Sequence, residues 1–199
     1  AHLTKAITLK DDFIEARLMR AEALLKMKQY KETMEDIDAV LAQNPEEETA
    51  ILLRGKVKEA NGQEEEAETD YKFVTEINPF NEQAYLYLGQ LYINQKKLAE
   101  AIALFDEAIE LNPNFAEAYY NRGTLLALSG KLPEAFEDFS RAIELNPLFA
   151  EAFYNRGMTQ IYMKDTRKGC LDLSKAGELG ITSAYEILKR YTGEHTEAF

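Results

Sequence analysis

An asparagine–proline pair recurs in this chain at a fixed interval: Asn44-Pro45, Asn78-Pro79, Asn112-Pro113 and Asn146-Pro147, each 34 residues beyond the last. Proline lacks an N–H and disfavours helical geometry in the residue before it, so each pair ends a helix at the same point of a cycle. Glycine keeps the same interval at Gly55, Gly89, Gly123 and Gly157. A period of this length means stacked supersecondary units rather than one wrapped core. Repeat arrays present extended surfaces to partners, which argues for a binding role and against an enzyme.

Composition narrows the classes further. Hydrophobic residues make up 46%, enough to bury a continuous core. The net charge of −12 argues against a nucleic-acid partner, which needs clustered lysine and arginine. It also disfavours an anionic membrane surface. No apolar run approaches the roughly 20 residues that span a bilayer, so no membrane insertion is expected. The single cysteine, Cys170, cannot form an internal disulfide and is expected to serve packing. Residues 1–13 show neither the basic stretch nor the apolar run of a signal peptide. They match the last positions of a repeat, so the natural chain is expected to extend upstream, with any targeting signal there.

Counted with proline at position 32, the repeats are 14–47, 48–81, 82–115, 116–149 and 150–183. Residues 1–13 are then the second helix of a preceding repeat, with Leu3 at position 24 and Ala6 at position 27. Ser183 and Glu186 have the spacing of a capping box and start a capping helix over 183–191, with a mobile tail expected over 192–199. Position 24 is large and apolar throughout (Ile37, Tyr71, Phe105, Phe139, Leu173), and position 27 is small or branched (Val40, Val74, Ala108, Ala142, Ala176). Apolar recurrence every three to four residues puts positions 4, 7, 8 and 11 on one face of a first helix and 20, 24, 27 and 28 on one face of a second. A helical glycine costs about 0.5–1 kcal/mol relative to alanine. Close antiparallel approach, with position 8 opposite position 20, is the expected offset. The turns between the helices are short and polar, as at Asn61-Gly62-Gln63 and Ser129-Gly130-Lys131, and Pro133 fits the first turn of a second helix.

This pattern resembles the tetratricopeptide repeat family over the whole chain. The resemblance is closest at Tyr85, Leu88-Gly89, Tyr92, Ala101, Phe105 and Pro113, and again at Tyr119, Gly123, Ala135, Phe139 and Pro147. Departures are Arg17 and Thr33 in repeat 1, Lys58 in repeat 2, and Gly180-Ile181 in place of Asn-Pro in repeat 5. The resemblance implies an all-α fold: a right-handed α–α superhelix, a solenoid of about five helix-turn-helix repeats with a partial N-terminal unit and a C-terminal capping helix.

Catalytic and metal-binding constellations are not found. The two histidines, His2 and His195, stand near opposite ends of the chain, and no phosphate loop or nucleophile motif appears. No cofactor is expected. Acidic pairs such as Asp36 and Asp38 are expected on solvent-facing positions, and Glu64-Glu65-Glu66 is read as a favourable acidic first turn.

In the resembling family the face formed by successive first helices is concave and binds extended peptides, through positions 2, 5, 6, 9, 12 and 13. Those positions here give Leu52, Leu53 and Lys56, then Gln83, Leu86, Tyr87, Gln90 and Asn94. Repeat 4 gives Glu117, Tyr120, Asn121, Thr124 and Leu128, and repeat 5 gives Glu151, Tyr154, Asn155, Met158 and Tyr162. The peptide-binding set drawn from these is Tyr87, Gln90, Glu117, Tyr120, Asn121, Thr124, Glu151, Tyr154, Asn155 and Met158. Asn121 and Asn155 resemble two rungs of the asparagine ladder in the tetratricopeptide domain of the sugar-transferring enzyme that modifies nuclear proteins. They are expected to face solvent and bond a peptide backbone, while the tyrosines favour apolar ligands and the two glutamates favour basic ones. Co-chaperones that grip a chaperone's C-terminal carboxylate carry lysine, asparagine and arginine at set positions. Repeats 3 to 5 offer Leu86, Gln90, Asn121, Glu151 and Asn155 there, so a carboxylate-tail clamp is not expected.

The function expected is a non-enzymatic protein-interaction scaffold. One alternative is the recruiting domain of a larger protein whose catalytic or membrane part lies elsewhere. A second is a structural module that self-associates through an N-terminal face carrying Leu3, Ala6 and Ile7.

Overall fold

A computed structural model describes residues 14–192, so the expectations for 1–13 and for the tail beyond Thr192 lie outside the described residues. Eleven helices and no strands are found among the described residues. By contact the chain divides into two compact units, Ala1–Lys96 and Lys97–Phe199. The first holds α1 (Ile14–Lys26), α2 (Tyr30–Leu41), α3 (Glu48–Ala60), α4 (Glu64–Ile77) and α5 (Glu82–Asn94). The second holds α6 (Leu98–Leu111), α7 (Ala116–Leu128), α8 (Leu132–Leu145), α9 (Ala150–Tyr162), α10 (Thr166–Glu178) and α11 (Ser183–Thr192).

Two kinds of turn join these helices, and each has a local cause. Between first and second helix, position 15 adopts a left-handed backbone in all five periods: Lys28, Gly62, Lys96, Gly130 and Lys164, with φ between 58° and 78°. At Gly62 this lets the Gln63 N–H reach the Lys58 carbonyl at 2.9 Å, closing the end of α3. Between repeats, the periodic asparagine caps its own proline. The side-chain oxygens of Asn78, Asn112 and Asn146 each accept the backbone N–H two residues on at 3.1 Å, and Asn44 does the same at 3.3 Å. The side chain thus turns the chain at a point where proline has removed the nearest donor.

Within a unit, the two helices of a repeat run antiparallel. In repeat 2 Asn78 donates to Glu48 at 2.9 and 3.0 Å, Arg54 donates to Asp70 at 2.7 and 3.0 Å, and the Tyr71 hydroxyl donates to Glu59 at 3.1 Å. The start of α3 thus meets the end of α4, while Arg54 and Glu59 further along α3 meet Asp70 and Tyr71 near its middle. Position 24 fills the space between the helices in repeats 1, 2, 4 and 5, where Ile37, Tyr71, Phe139 and Leu173 are fully buried; Phe105 is fully buried too. Its rings explain the glycines. A Cβ at Gly55 would fall within 3.0 Å of three Tyr71 ring atoms, and one at Gly123 would meet Asp138 Cβ at 3.0 Å and the Phe139 ring at 3.1 Å. The close approach is thus to positions 23 and 24 in repeats 2 and 4. In repeat 5 position 20 lies opposite as expected: a Cβ on Gly157 would sit 2.8 Å from the Gly169 carbonyl.

Asp36 is not on a solvated face, in contrast to Asp38, which is exposed. It is fully buried and holds Arg17 at 3.2 Å and Arg20 at 2.5 and 2.6 Å. The same two-pronged clasp joins Arg54 to Asp70, Arg122 to Asp138 and Arg156 to Asp172. These are positions 7 and 23, one on each helix of a repeat; repeat 3 carries Leu88 and Leu104 there instead. A buried carboxylate is tolerated only when paired and hydrogen-bonded, which is why both residues change together. The arginines also reach the preceding repeat: Arg122 donates to Asp106 at 2.7 Å and Arg156 to Ser140 at 3.2 Å.

In the first unit Glu68 of α4 accepts from Lys72 at 2.7 Å, the Tyr92 hydroxyl at 3.0 Å and Gln95 at 3.2 Å. These donors, the lysine ammonium foremost, hold its carboxyl down at about 2. At the C-terminus α11 lays Ala184, Ile187 and Leu188 against Ile161, Leu173 and Ala176. Its first helical residue is Ser183 itself. This puts Ser183 one position inside the N-cap that the expected capping box requires, and the Ala184 N–H donates to the Ile181 carbonyl at 2.9 Å.

Two outcomes are expected. Removing one partner of a buried ion pair costs about 3–5 kcal/mol, whereas replacing both by apolar residues is often neutral. Asp138→Ala should therefore lower stability by roughly 3 kcal/mol in denaturant unfolding, and Arg122→Leu with Asp138→Leu, the pair repeat 3 carries, should recover most of it. Glu68 has a depressed folded pKa, so its contribution is present above about pH 4.5 and is lost as pH falls toward about 2. Melting of the wild type and of Glu68→Gln should differ near neutrality and converge through that window.

Candidate interaction face

The first helices of repeats 4 and 5, α7 and α9, lie side by side in the second unit. Between them and α8 opens a cavity of about 260 Å³ lined by Thr124, Ala127, Leu128, Leu132, Phe139, Tyr154, Asn155, Met158, Thr159 and Tyr162. Four of the ten expected binding residues therefore converge on one space: Thr124, Tyr154, Asn155 and Met158. At its mouth Leu128 and Tyr162 are 74% and 61% exposed, a large apolar surface left open to water. Glu117 and Glu151 are also exposed, on the same two helices.

The remaining expected residues are placed differently. Tyr120 turns inward, its ring 4.8 Å from that of Phe149 and 6.1 Å from that of Phe139. Burial, and after it the negative charge of Glu151, push its hydroxyl above the ordinary tyrosine pKa. Asn121 and Asn155 do not both face solvent with idle amides, as the sequence led us to expect. Asn121 donates to the Glu117 carbonyl of its own helix at 2.8 Å. Asn155 is half-buried and donates to the Tyr120 hydroxyl at 3.3 Å and to Thr124 Oγ1 at 3.4 Å. It clips α9 to α7, an internal role that the asparagine pattern alone could not reveal. The second-helix side chains Leu132 and Phe139, which form part of the cavity wall, were likewise outside the first-helix positions expected to matter.

In the first unit α1 lies beside α3 and α3 beside α5. Leu52 and Leu86, expected on the open face, are buried in the core. Leu53 is also buried and floors a cavity of about 400 Å³ with Glu22, Leu25, Lys26, Lys56 and Tyr87. Tyr87 packs its ring 5.7 Å from that of Tyr71, and the Lys56 ammonium stands 4.0 Å over its face, a cation–π arrangement. Gln90, one turn beyond Tyr87 on α5, is half-buried. Among the described residues no group of three or more His, Cys, Asp or Glu could hold a metal ion, and no helix is long and apolar enough to cross a membrane.

Paired antiparallel helices in 34-residue periods, with cavities on the first-helix face, define a helical repeat protein of the protein-binding class. A tetratricopeptide repeat profile matches residues 52–114 and 88–148, and the chain belongs to the tetratricopeptide repeat family. Proteins of this family are generally non-catalytic scaffolds for protein–protein interaction. Among solved structures, the chain is similar to YrrB, a tetratricopeptide protein described as having an unusual peptide-binding site, at 26% identity, covering 95% of this chain and 98% of that one, with a TM-score of 0.63. It shares its fold with TTC0263, a tetratricopeptide protein of Thermus thermophilus (17% identity, 91% and 100% of the two chains, TM-score 0.73). The same holds for MamA (22% identity, 83% and 96%, TM-score 0.66). No curated protein matches at a significant level.

Proposed function

We propose that the chain is an interaction scaffold whose first-helix face in repeats 4 and 5 binds an extended segment of another protein. The observation that carries this is the cavity between α7, α8 and α9 with Leu128 and Tyr162 exposed at its mouth. An apolar or aromatic side chain of the partner seats there against Met158 and Tyr154, while Glu117 and Glu151 favour a lysine or arginine beside it. The description of the similar YrrB as a peptide-binding protein supports the same reading. Because Asn155 is held by Tyr120 and Thr124, binding rests on the cavity and the flanking charges more than on asparagine bonds to a peptide backbone.

The test is selection from a random peptide display library, followed by titration of the recovered peptides. Leu128→Asp with Tyr162→Ala changes two exposed side chains and should leave the fold intact. It should weaken binding by about 2 kcal/mol, the scale of a lost interface anchor. Glu137→Ala, an exposed second-helix change, should have no effect. Equal affinities for the two variants would place binding elsewhere.

A further inference from the structure

The cavity of the first unit has a chemistry that the cavity of repeats 4 and 5 lacks. Two of its six lining side chains are lysines, Lys26 and Lys56, set around Leu25, Leu53 and the Tyr87 ring, with Glu22 as the one acid. This is a locally cationic patch on a chain of net charge −12. Lys26 is exposed and makes no ion pair with another described residue. Its place in the last turn of α1 suits the helix dipole, but that role needs no second lysine across the cleft on α3. Lys56 stands over Tyr87, and Tyr87 in turn leans on Tyr71, whose hydroxyl is bonded to Glu59. The aromatic floor and the ammonium above it are therefore held in place before any ligand arrives, which lowers the ordering cost of binding.

From this geometry we infer a second binding surface, separate from the one in repeats 4 and 5 and opposite to it in charge preference. Its occupant is an acidic segment of a partner protein that carries an aspartate or glutamate next to an apolar or aromatic residue. The carboxylate lies between Lys26 and Lys56, and the apolar neighbour packs on Leu25, Leu53 and the exposed part of Tyr87. Glu22, one turn before Lys26 on the same helix, limits the site to a single acidic residue or two and works against a polyacid.

The probe is a short fluorescein-labelled peptide with an Asp-Phe-Glu centre between Gly-Ser flanks, with an Asn-Phe-Gln version as its neutral counterpart, read by fluorescence anisotropy on the full chain. The acidic peptide should bind about tenfold tighter than the neutral one, and the preference should shrink with added salt, as charge-steered binding does. Lys26→Gln with Lys56→Gln should abolish the preference, whereas Glu22→Gln should strengthen it. Leu128→Asp with Tyr162→Ala should leave it unchanged, so that failure here and failure of the repeat 4–5 site are told apart. A circular dichroism melt accompanies each variant; if Lys56→Gln unfolds the chain, Lys26→Gln alone, at an exposed position, carries the comparison. Equal binding of the two peptides, no binding of either, or a preference that survives loss of both lysines would overturn the inference.

Discussion

No helix among the described residues exceeds 14 residues, a length at which an isolated helix in water is marginal. Within a unit, the paired helices of a repeat therefore depend on the antiparallel neighbour across position 24, and much of the fold follows from how that contact is made. A ring or branched side chain at position 24 needs room on the first helix, and glycine at position 8 supplies it in repeats 2, 4 and 5. Alanine is enough in repeat 1, where Ala21 faces Ile37 rather than an aromatic ring. Beside that apolar contact sits the arginine–aspartate clasp. It is directional where the apolar contact is not, so it fixes the rotation of the helices that carry it, in repeats 1, 2, 4 and 5.

That rotation is what connects the fold to the candidate face. Arg122 and Arg156 sit at position 7 and bind inward to Asp138 and Asp172. Residues about half a turn away on the same helices, at positions 5 and 9, are then held on the opposite side. Because each arginine also grips position 25 of the preceding repeat, α7 and α9 keep a set spacing. Asn155 spans that spacing to Tyr120 and Thr124. The cavity beside Leu128 and Tyr162 lies between these helices and is lined on its α8 side by Leu132 and Phe139.

The period, the helix-breaking asparagine–proline pairs and the core positions were legible because each rests on a local rule repeated several times. The residues at position 24, predicted as core, are buried in every period. What escaped were roles set by a partner on another helix. Asp36 looks like any surface acid until Arg20 is known to lie opposite. The sequence did hold that signal: arginine at position 7 and aspartate at position 23 occur together in four repeats, and both become leucine in the third. Asn155 shows the converse limit. Its amide can donate to a peptide or to a neighbouring helix, and only the distance to Tyr120 tells which partner it already has.

That prior engagement has a consequence for selectivity. A ladder of idle asparagines would bind the backbone common to all peptides and discriminate little between them. With Asn121 turned to its own helix and Asn155 spent on Tyr120 and Thr124, the amides are no longer unbonded groups waiting on a ligand, and a net hydrogen bond gained by breaking another is worth little. In the proposed binding mode, discrimination falls to what remains open: the shape of an apolar cavity and the exposed charges beside it. An apolar cavity separates side chains differing by one methylene by only about 1–3 kcal/mol, whereas like charges set against each other across an interface cost several. Charge is therefore the sharper filter expected of the two proposed sites. It is also the property in which the two first-helix faces differ most, with lysines around Tyr87 in the first unit and glutamates on α7 and α9 in the second.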